Sequence, residues 1–278
     1  MPDPVELSIQ TDDGVLLAGE QAGAGAAIVL LHGLTATRRY VVMGSRLLER
    51  AGLRVVAFDA RGHGRSAPAQ DPRDYGYARL AGDLLAILDS LEIERAVFAG
   101  ASMGAHTLAR FALEHPARVA ALGLITPAYD PARQAGEPDR FAAWDALARG
   151  LREGGVEGFL AAYDFAAVPE SWRATVEKVL RQRLSAHERP FAVADALEAV
   201  PRSRPFERIE ELARISSPTL VIASRDEADP AHPLAVAERY AQAIPGARLL
   251  VEEPGSSPLA WQGGRLSQLL SELASRAV

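Results

Sequence analysis

The chain has 278 residues, with 30 Lys+Arg against 36 Asp+Glu and a net charge of −6. That length argues for one large domain with room for an insertion, able to bury about three quarters of its unfolded surface. The acidic balance excludes a nucleic-acid footprint, and 48% hydrophobic with 24% charged residues excludes a disordered chain. Cysteine is absent, which removes disulfides, thiolate zinc sites and a thiol nucleophile together.

In chain order, Val5 to Thr11 and Val15 to Glu20 read as two strands joined at Asp12-Asp13-Gly14, a hairpin signal. Ala27 to Leu31 is continuously apolar, as expected of a strand buried on both faces of a parallel sheet. Arg54 to Phe58, Ala96 to Ala99, Ala121 to Ile125 and Thr219 to Ala223 repeat that pattern, and Arg248 to Val251 reads as the last strand. Helical periodicity fills the gaps at Met43–Ala51, Tyr77–Leu91, Gly104–Glu114, Leu234–Ile244 and Leu266–Ala277. Alternating strands and helices predict an α/β protein, an eight-stranded and mostly parallel sheet covered on both faces. One stretch breaks the alternation. From about Tyr129 to Ile215 there are only helical patterns, at Phe141–Arg152, Val156–Phe165, Ser171–Ser185 and Phe191–Val200. The expected organisation is a core of residues 1–128 and 216–278 with a helical cap of residues 129–215. The N-terminus carries no signal-peptide pattern, and the longest early apolar run, Ala26 to Leu31, falls far below the ~20 residues of a membrane span. A cytoplasmic protein with no membrane partner is expected.

Gly100-Ala101-Ser102-Met103-Gly104 follows a predicted strand and opens a predicted helix. The flanking glycines permit a tight strand-to-helix turn that would expose the Ser102 hydroxyl at a helix N-terminus. The bland alternative is a glycine-rich turn with a capping serine. Two further motifs favour the chemical reading. His32-Gly33-Leu34-Thr35 ends a strand, and the N–H groups of Leu34 and Met103 would together form an oxyanion hole. Asp59-Ala60-Arg61-Gly62-His63-Gly64-Arg65-Ser66 marks a tight loop in which His63 is expected to hydrogen-bond locally.

With these motifs the chain resembles the α/β-hydrolase superfamily, specifically its members with a helical cap. The resemblance runs nearly end to end and implies a serine nucleophile, an acid after the strand that follows the cap, and a histidine after the last strand. The acid region reads Ser224-Arg225-Asp226-Glu227-Ala228-Asp229-Pro230-Ala231-His232-Pro233. Asp229 is preferred over Asp226, because Asp229-Pro230-Ala231-His232-Pro233 fits the family's trailing Asp-Pro-x-x-Pro pattern. The histidine position departs from the family. Where Gly-His-Ser-Pro is usual, this chain has Gly255-Ser256-Ser257-Pro258, and no histidine follows His232. Serine cannot serve as a general base near neutral pH.

Six histidines are available as substitutes. His32, His63, His115 and His187 fall at structural, helix-end or cap positions. His106, four residues after Ser102, reads as a core histidine beneath the turn. His232 lies in the acid-bearing loop and has two readings. The plainer one, placed slightly ahead, is a loop-shaping histidine between prolines. In the other, His232 reaches into the vacancy with Asp226 or Asp229 orienting it. Ser256 and Trp261 are expected at the substrate pocket, though Trp261 equally suits packing under the final helix. Trp144, Phe159, Tyr163, Phe165 and Trp172 could line an acyl pocket or form the cap's own core.

The expected function is hydrolysis of a small ester or other acyl compound through Ser102, slow if no efficient base is present. Two alternatives stay open on sequence grounds: a ligand-binding pseudoenzyme, and a cofactor-free lyase, isomerase or cyclase. No metal or cofactor motif is visible, so the expected partner is a small acyl or ester-like molecule alone.

Overall fold

The computed structural model describes residues 3–135, 140–225 and 229–277. Eight strands form a single sheet in the order β1-β2-β4-β3-β5-β6-β7-β8. They are β1 (Val5–Gln10), β2 (Leu16–Ala22), β3 (Ala27–Leu31), β4 (Arg54–Phe58), β5 (Ala96–Ala101), β6 (Val119–Ile125), β7 (Thr219–Ala223) and β8 (Arg248–Val251). β1 and β2 pair antiparallel, β2 meets β4 antiparallel, and every pair from β4 to β8 is parallel. Helices α1 (Leu47–Arg50), α2 (Tyr77–Ser90), α3 (Met103–Glu114), α8 (Leu234–Ala243) and α9 (Gly263–Ser275) connect or follow the strands. Helices α4 (Pro131–Ala135), α5 (Arg140–Ala162), α6 (Glu170–Leu184) and α7 (Pro190–Arg202) lie between β6 and β7.

The apolar strands explain the layering. Successive side chains point to opposite faces, so Val29, Leu31, Phe98, Leu122 and Val221 enter one buried cluster. Ile28, Leu30, Val97, Ala121 and Ile222 enter another on the opposite face. The first cluster packs α2, α3 and α8, and the second packs α1 and α9. A strand hydrophobic at every position thus serves two cores. Among the described residues no helix is long and apolar enough to cross a membrane.

Several element boundaries differ from the sequence reading. The helix expected over Met43–Ala51 shrinks to α1, because Met43 (φ 50°) and Gly44 (φ 72°) adopt left-handed backbone. The two helices expected at Phe141–Arg152 and Val156–Phe165 appear as α5, which breaks at Gly155 (φ 60°, ψ −144°). The chain reverses there and brings Gly150 against Gly158, where a Cβ on Gly150 would stand 2.3 Å from the Gly158 carbonyl oxygen. The inserted helices have a core of their own, built on Leu151, Phe159, Leu160, Leu184, Val193 and Leu197. Tyr129 and the segment carrying Phe206, Ile209, Leu212 and Ile215 join the sheet's core instead. The separately packed unit is therefore narrower than residues 129–215.

Gly100 and Gly104 set how closely α3 approaches the sheet. A Cβ on Gly104 would stand 2.4 Å from the Leu31 carbonyl oxygen, and one on Gly100 would stand 2.5 Å from the Gly104 carbonyl carbon. Both contacts are to backbone, which cannot move without shifting α3 or β3. Gly104→Ala is expected to destabilise the protein by about 1–3 kcal/mol through this overpacking. Urea unfolding of the two proteins measures the difference, and an unchanged midpoint would contradict the account.

Candidate active site

The site gathers at the carboxyl ends of β3, β5 and β7, where ligands bind in open α/β sheets. Ser102 lies between β5 and α3 with φ 50° and ψ −110°. A non-glycine residue rarely adopts such backbone, and when it does the surrounding structure must enforce it. Here the Ser102 N–H donates to the Ile125 carbonyl (2.9 Å) and the Ser102 carbonyl accepts from the His106 N–H (3.0 Å). The turn is held at both ends, and the side chain projects beyond the sheet edge.

Ser102 has a partner. Its Oγ lies 2.9 Å from His232 Nε2, and His232 Nδ1 lies 2.8 Å from Asp229 Oδ1. An ionised carboxylate only accepts, so Nδ1 carries the proton and Nε2 accepts from the Ser102 hydroxyl. Asp229 and His232 belong to one short turn, closed by a bond from the His232 N–H to the Asp229 carbonyl (3.1 Å). Burial works against the charge on Asp229, but His232 and Arg183 hold its carboxyl below the ordinary range. Burial likewise opposes a charged His232. The Asp229 carboxylate outweighs that penalty and raises the imidazole above its ordinary 6.5. Arg183 of α6 sits over the Tyr40 ring at 5.6 Å and moderates both charges, opposing protonation of His232.

The loop after β3 completes the wall. A Cβ on Gly33 would come 3.5 Å from the Ser102 Cβ, so this loop passes directly beside the serine. Leu34 and Met103 line a cavity of about 330 Å³ together with Ser102. Met103 is the first residue of α3, where an N–H has no partner within the helix. The Leu34 carbonyl is turned the other way, toward His63 Nε2 at 2.6 Å. Phe141, Trp144, Val200 and Pro201 from the inserted helices form the apolar side of the cavity. A larger surface groove lies near Arg73, Arg149 and Arg202, away from the serine.

A family profile for the alpha/beta hydrolase fold matches residues 26–263. The chain belongs to that family. The putative carbamate hydrolase RutD of Pseudomonas syringae pv. syringae is 31% identical over 229 residues, covering 82% of this chain and 85% of that protein. A putative non-heme haloperoxidase of Mycobacterium phage D29 is 41% identical over 117 residues, but the match spans only 42% of this chain and 41% of that one. Among solved structures, a thermophilic esterase from Thermogutta terrifontis superposes with a TM-score of 0.77 at 26% identity, covering 99% of each chain.

Against that family background, the structure sorts the residues singled out from the sequence. Ser102, Leu34, Met103, Asp229 and His232 come together; of the two readings of His232, the geometry agrees with the one that reaches Ser102. Asp226 lies outside the described residues. Ser256 does not meet the pocket: it is exposed in a turn closed by its N–H to the Glu253 carbonyl (3.0 Å). Buried Glu252 fixes that loop elsewhere, accepting from the Arg225 N–H (2.5 Å) and the Leu259 N–H (3.1 Å). Trp261 also stands outside the cavity lining, packed edge-on against Trp172 at 5.7 Å. Trp144 reaches the cavity, whereas Phe159 is buried in the inserted helices' core and Tyr163, Phe165 and Trp172 pack against that core.

Four of the other histidines, His32, His63, His106 and His187, are held by side-chain hydrogen bonds. His32 Nε2 accepts from the Ala60 N–H (2.9 Å) and its Nδ1 donates to the Gly33 carbonyl (2.8 Å). His63 bonds within its own loop to the Arg61 carbonyl (2.9 Å), and His187 accepts from the Gly64 N–H (2.8 Å). His106 is buried as expected, yet it lines the cavity. Tyr77, Asp130, Arg133 and Phe141 were not singled out from the sequence; they enter the lining from α2, from the stretch leading into α4 and α4 itself, and from α5.

These environments separate the histidines by titration. Burial pushes His32 and His106 down to about 3 and His187 to about 4, and also lowers His63, while His232 moves up. Histidine-detected NMR is expected to place the His232 midpoint above 6.5. Asp229→Asn removes the attraction but keeps the burial, so that midpoint should fall below 6.5. An unmoved midpoint in Asp229→Asn would show that the carboxylate does not act on this ring.

Proposed function

We propose that the protein is a serine hydrolase acting on a small ester or related acyl compound. One observation carries this reading, the unbroken line of hydrogen bonds from Ser102 Oγ through His232 to Asp229. In this scheme Ser102 attacks the acyl carbon while His232 Nε2 takes the hydroxyl proton. Asp229 holds the imidazole in the required tautomer and stabilises the imidazolium that forms. The N–H groups of Leu34 and Met103 receive the developing oxyanion. His232 then returns the proton to the leaving alcohol, and a water activated by the same nitrogen releases the acyl group from Ser102.

The inserted helices α4 to α7 act as a cap that shields this chemistry from water and gives the acyl group an apolar wall. A volume of about 330 Å³ suits a small substrate, at the low end of ligand pockets. Carrying the base on the acid loop accounts for a Gly-Ser-Ser-Pro sequence where the family has its histidine. The histidine has changed loops while keeping its place between serine and acid. The names of the carbamate hydrolase and esterase relatives are compatible with acyl transfer to water.

Treatment with a fluorophosphonate followed by intact-mass analysis should give one adduct, mapped to Ser102 and absent in Ser102→Ala. His232→Ala should lower turnover of activated esters by on the order of 10³–10⁶-fold. The base must be neutral to accept a proton, so kcat/KM should rise with pH through a transition above 6.5 and be lost below it. A silent Ser102 after hours of labelling, or wild-type turnover in His232→Ala, would overturn the reading.

A further inference from the structure

Phe141, Trp144, Val200 and Pro201 give the cavity beside Ser102 an apolar wall, and Asp130 and Arg133 also line it; a buried polar pair faces it from the core: Tyr77, at the start of α2, and His106, on the first turn of α3. The direction of every proton in this pair follows from its neighbours. His106 Nε2 lies 2.8 Å from the Ala128 nitrogen and 3.0 Å from the Tyr129 nitrogen. Both of those groups are backbone N–H donors, so Nε2 can only accept. The ring proton therefore sits on Nδ1. Nδ1 lies 2.9 Å from the Tyr77 hydroxyl oxygen and must donate to it. The Tyr77 oxygen is thereby used as an acceptor, and its own proton is left to be given away. Among the described residues no acceptor stands within hydrogen-bond distance of that hydroxyl. Tyr77 lines the cavity that holds Ser102.

Nothing in the ordinary pH range reverses this polarity. Burial, reinforced by the charge His232 can carry, pushes His106 down to about 3, and burial pushes the Tyr77 phenol up. The imidazole stays neutral and the phenol stays protonated. A buried hydroxyl whose donor finds no acceptor carries an uncompensated desolvation cost. A ligand that supplies an acceptor at that point removes the cost; one that offers a methylene does not.

We infer that Tyr77, oriented by His106, is a substrate-binding residue that selects acyl compounds bearing a hydrogen-bond-accepting oxygen, such as a ketone or ether, beyond the scissile carbonyl. The inference rests on Ser102 as the reacting group for the position of that oxygen but not for the hydrogen bond itself. It also gives His106 a task other than base: both its nitrogens are committed, to backbone and to Tyr77.

The test compares 4-nitrophenyl pentanoate with its 3-oxo and 4-oxo counterparts, each kcat/KM divided by that ester's own hydroxide-catalysed rate. The wild-type protein should favour one oxo ester by about 10-fold or more, the size of one neutral hydrogen bond with its buried donor satisfied. Tyr77→Phe should lose that preference, its kcat/KM on the favoured oxo ester falling about 10-fold further than on the pentanoate. A parallel measurement needs no turnover. In Ser102→Ala, tryptophan fluorescence titration with ethyl pentanoate and its two oxo analogues reads binding alone, since Trp144 lines the cavity. An oxo preference there that disappears in Ser102→Ala/Tyr77→Phe supports the inference even if no ester is hydrolysed, an outcome that would sink only the hydrolase reading. Equal binding of all three ligands, or an equal loss on all three esters in Tyr77→Phe, overturns it.

Discussion

Everything at the site hangs from the backbone of Ser102. Its φ of 50° is a conformation that a serine adopts only under constraint, and the constraint comes from both sides. Gly100 and Gly104 let α3 press against β5 and β3 to a separation at which any Cβ would meet backbone. The bond from the Ser102 N–H to the Ile125 carbonyl ties the turn to the neighbouring strand. The hydroxyl therefore projects past the sheet edge, the Met103 N–H sits at a helix start, and the Gly33-Leu34 loop runs alongside. Whatever supplies a base must come to this fixed point.

In the proposed mechanism the base and the acid arrive together. Asp229 and His232 lie three residues apart on the connection from β7 to α8, and their mutual hydrogen bond closes within that turn. A pair placed on one short turn needs only one loop to be positioned correctly. The loop after β8 is then free of that duty. It is anchored through buried Glu252 and leaves Ser256 exposed. Arg183 of the inserted helices reaches the same pair electrostatically, so the helices above the sheet and the turn below it act on one set of charges. In the same cavity, Tyr77 and His106 form a second polar line whose protons are fixed by two backbone N–H groups. One line ends on the Ser102 hydroxyl, and the other faces the cavity.

Much of this was legible in local sequence. Strands β3, β4 and β7 coincide with runs dominated by Val, Ile, Leu and Ala, because a strand buried on both faces leaves little room for polar residues, and the half-buried edge strand β8 matches a shorter Leu-Leu-Val run. The turn at Ser102 was visible because its requirement, small residues at Gly100 and Gly104, is met within five residues. The break in α5 was visible as the gap between the helical patterns at Phe141–Arg152 and Val156–Phe165. The chain reversal at Gly155 depends on how its two arms pack, which periodicity does not express.

The order of elements, the strained turn at Ser102 and the absence of a histidine after β8 follow from residue types at short range, where each amino acid's own geometry and chemistry are decisive. The role of His232 does not. As a residue between prolines it suits a loop-shaping part equally well, and the contact that distinguishes the two readings joins positions 130 residues apart. Sequence adjacency was misleading for Ser256 and Trp261: the first turns to solvent and the second packs on Trp172. Tyr77 looked like an ordinary helix start. Only the convergence of α2, α3 and the chain after β6 gave its hydroxyl a direction, since a hydrogen bond's polarity depends on every neighbour, and those neighbours come from separate parts of the chain.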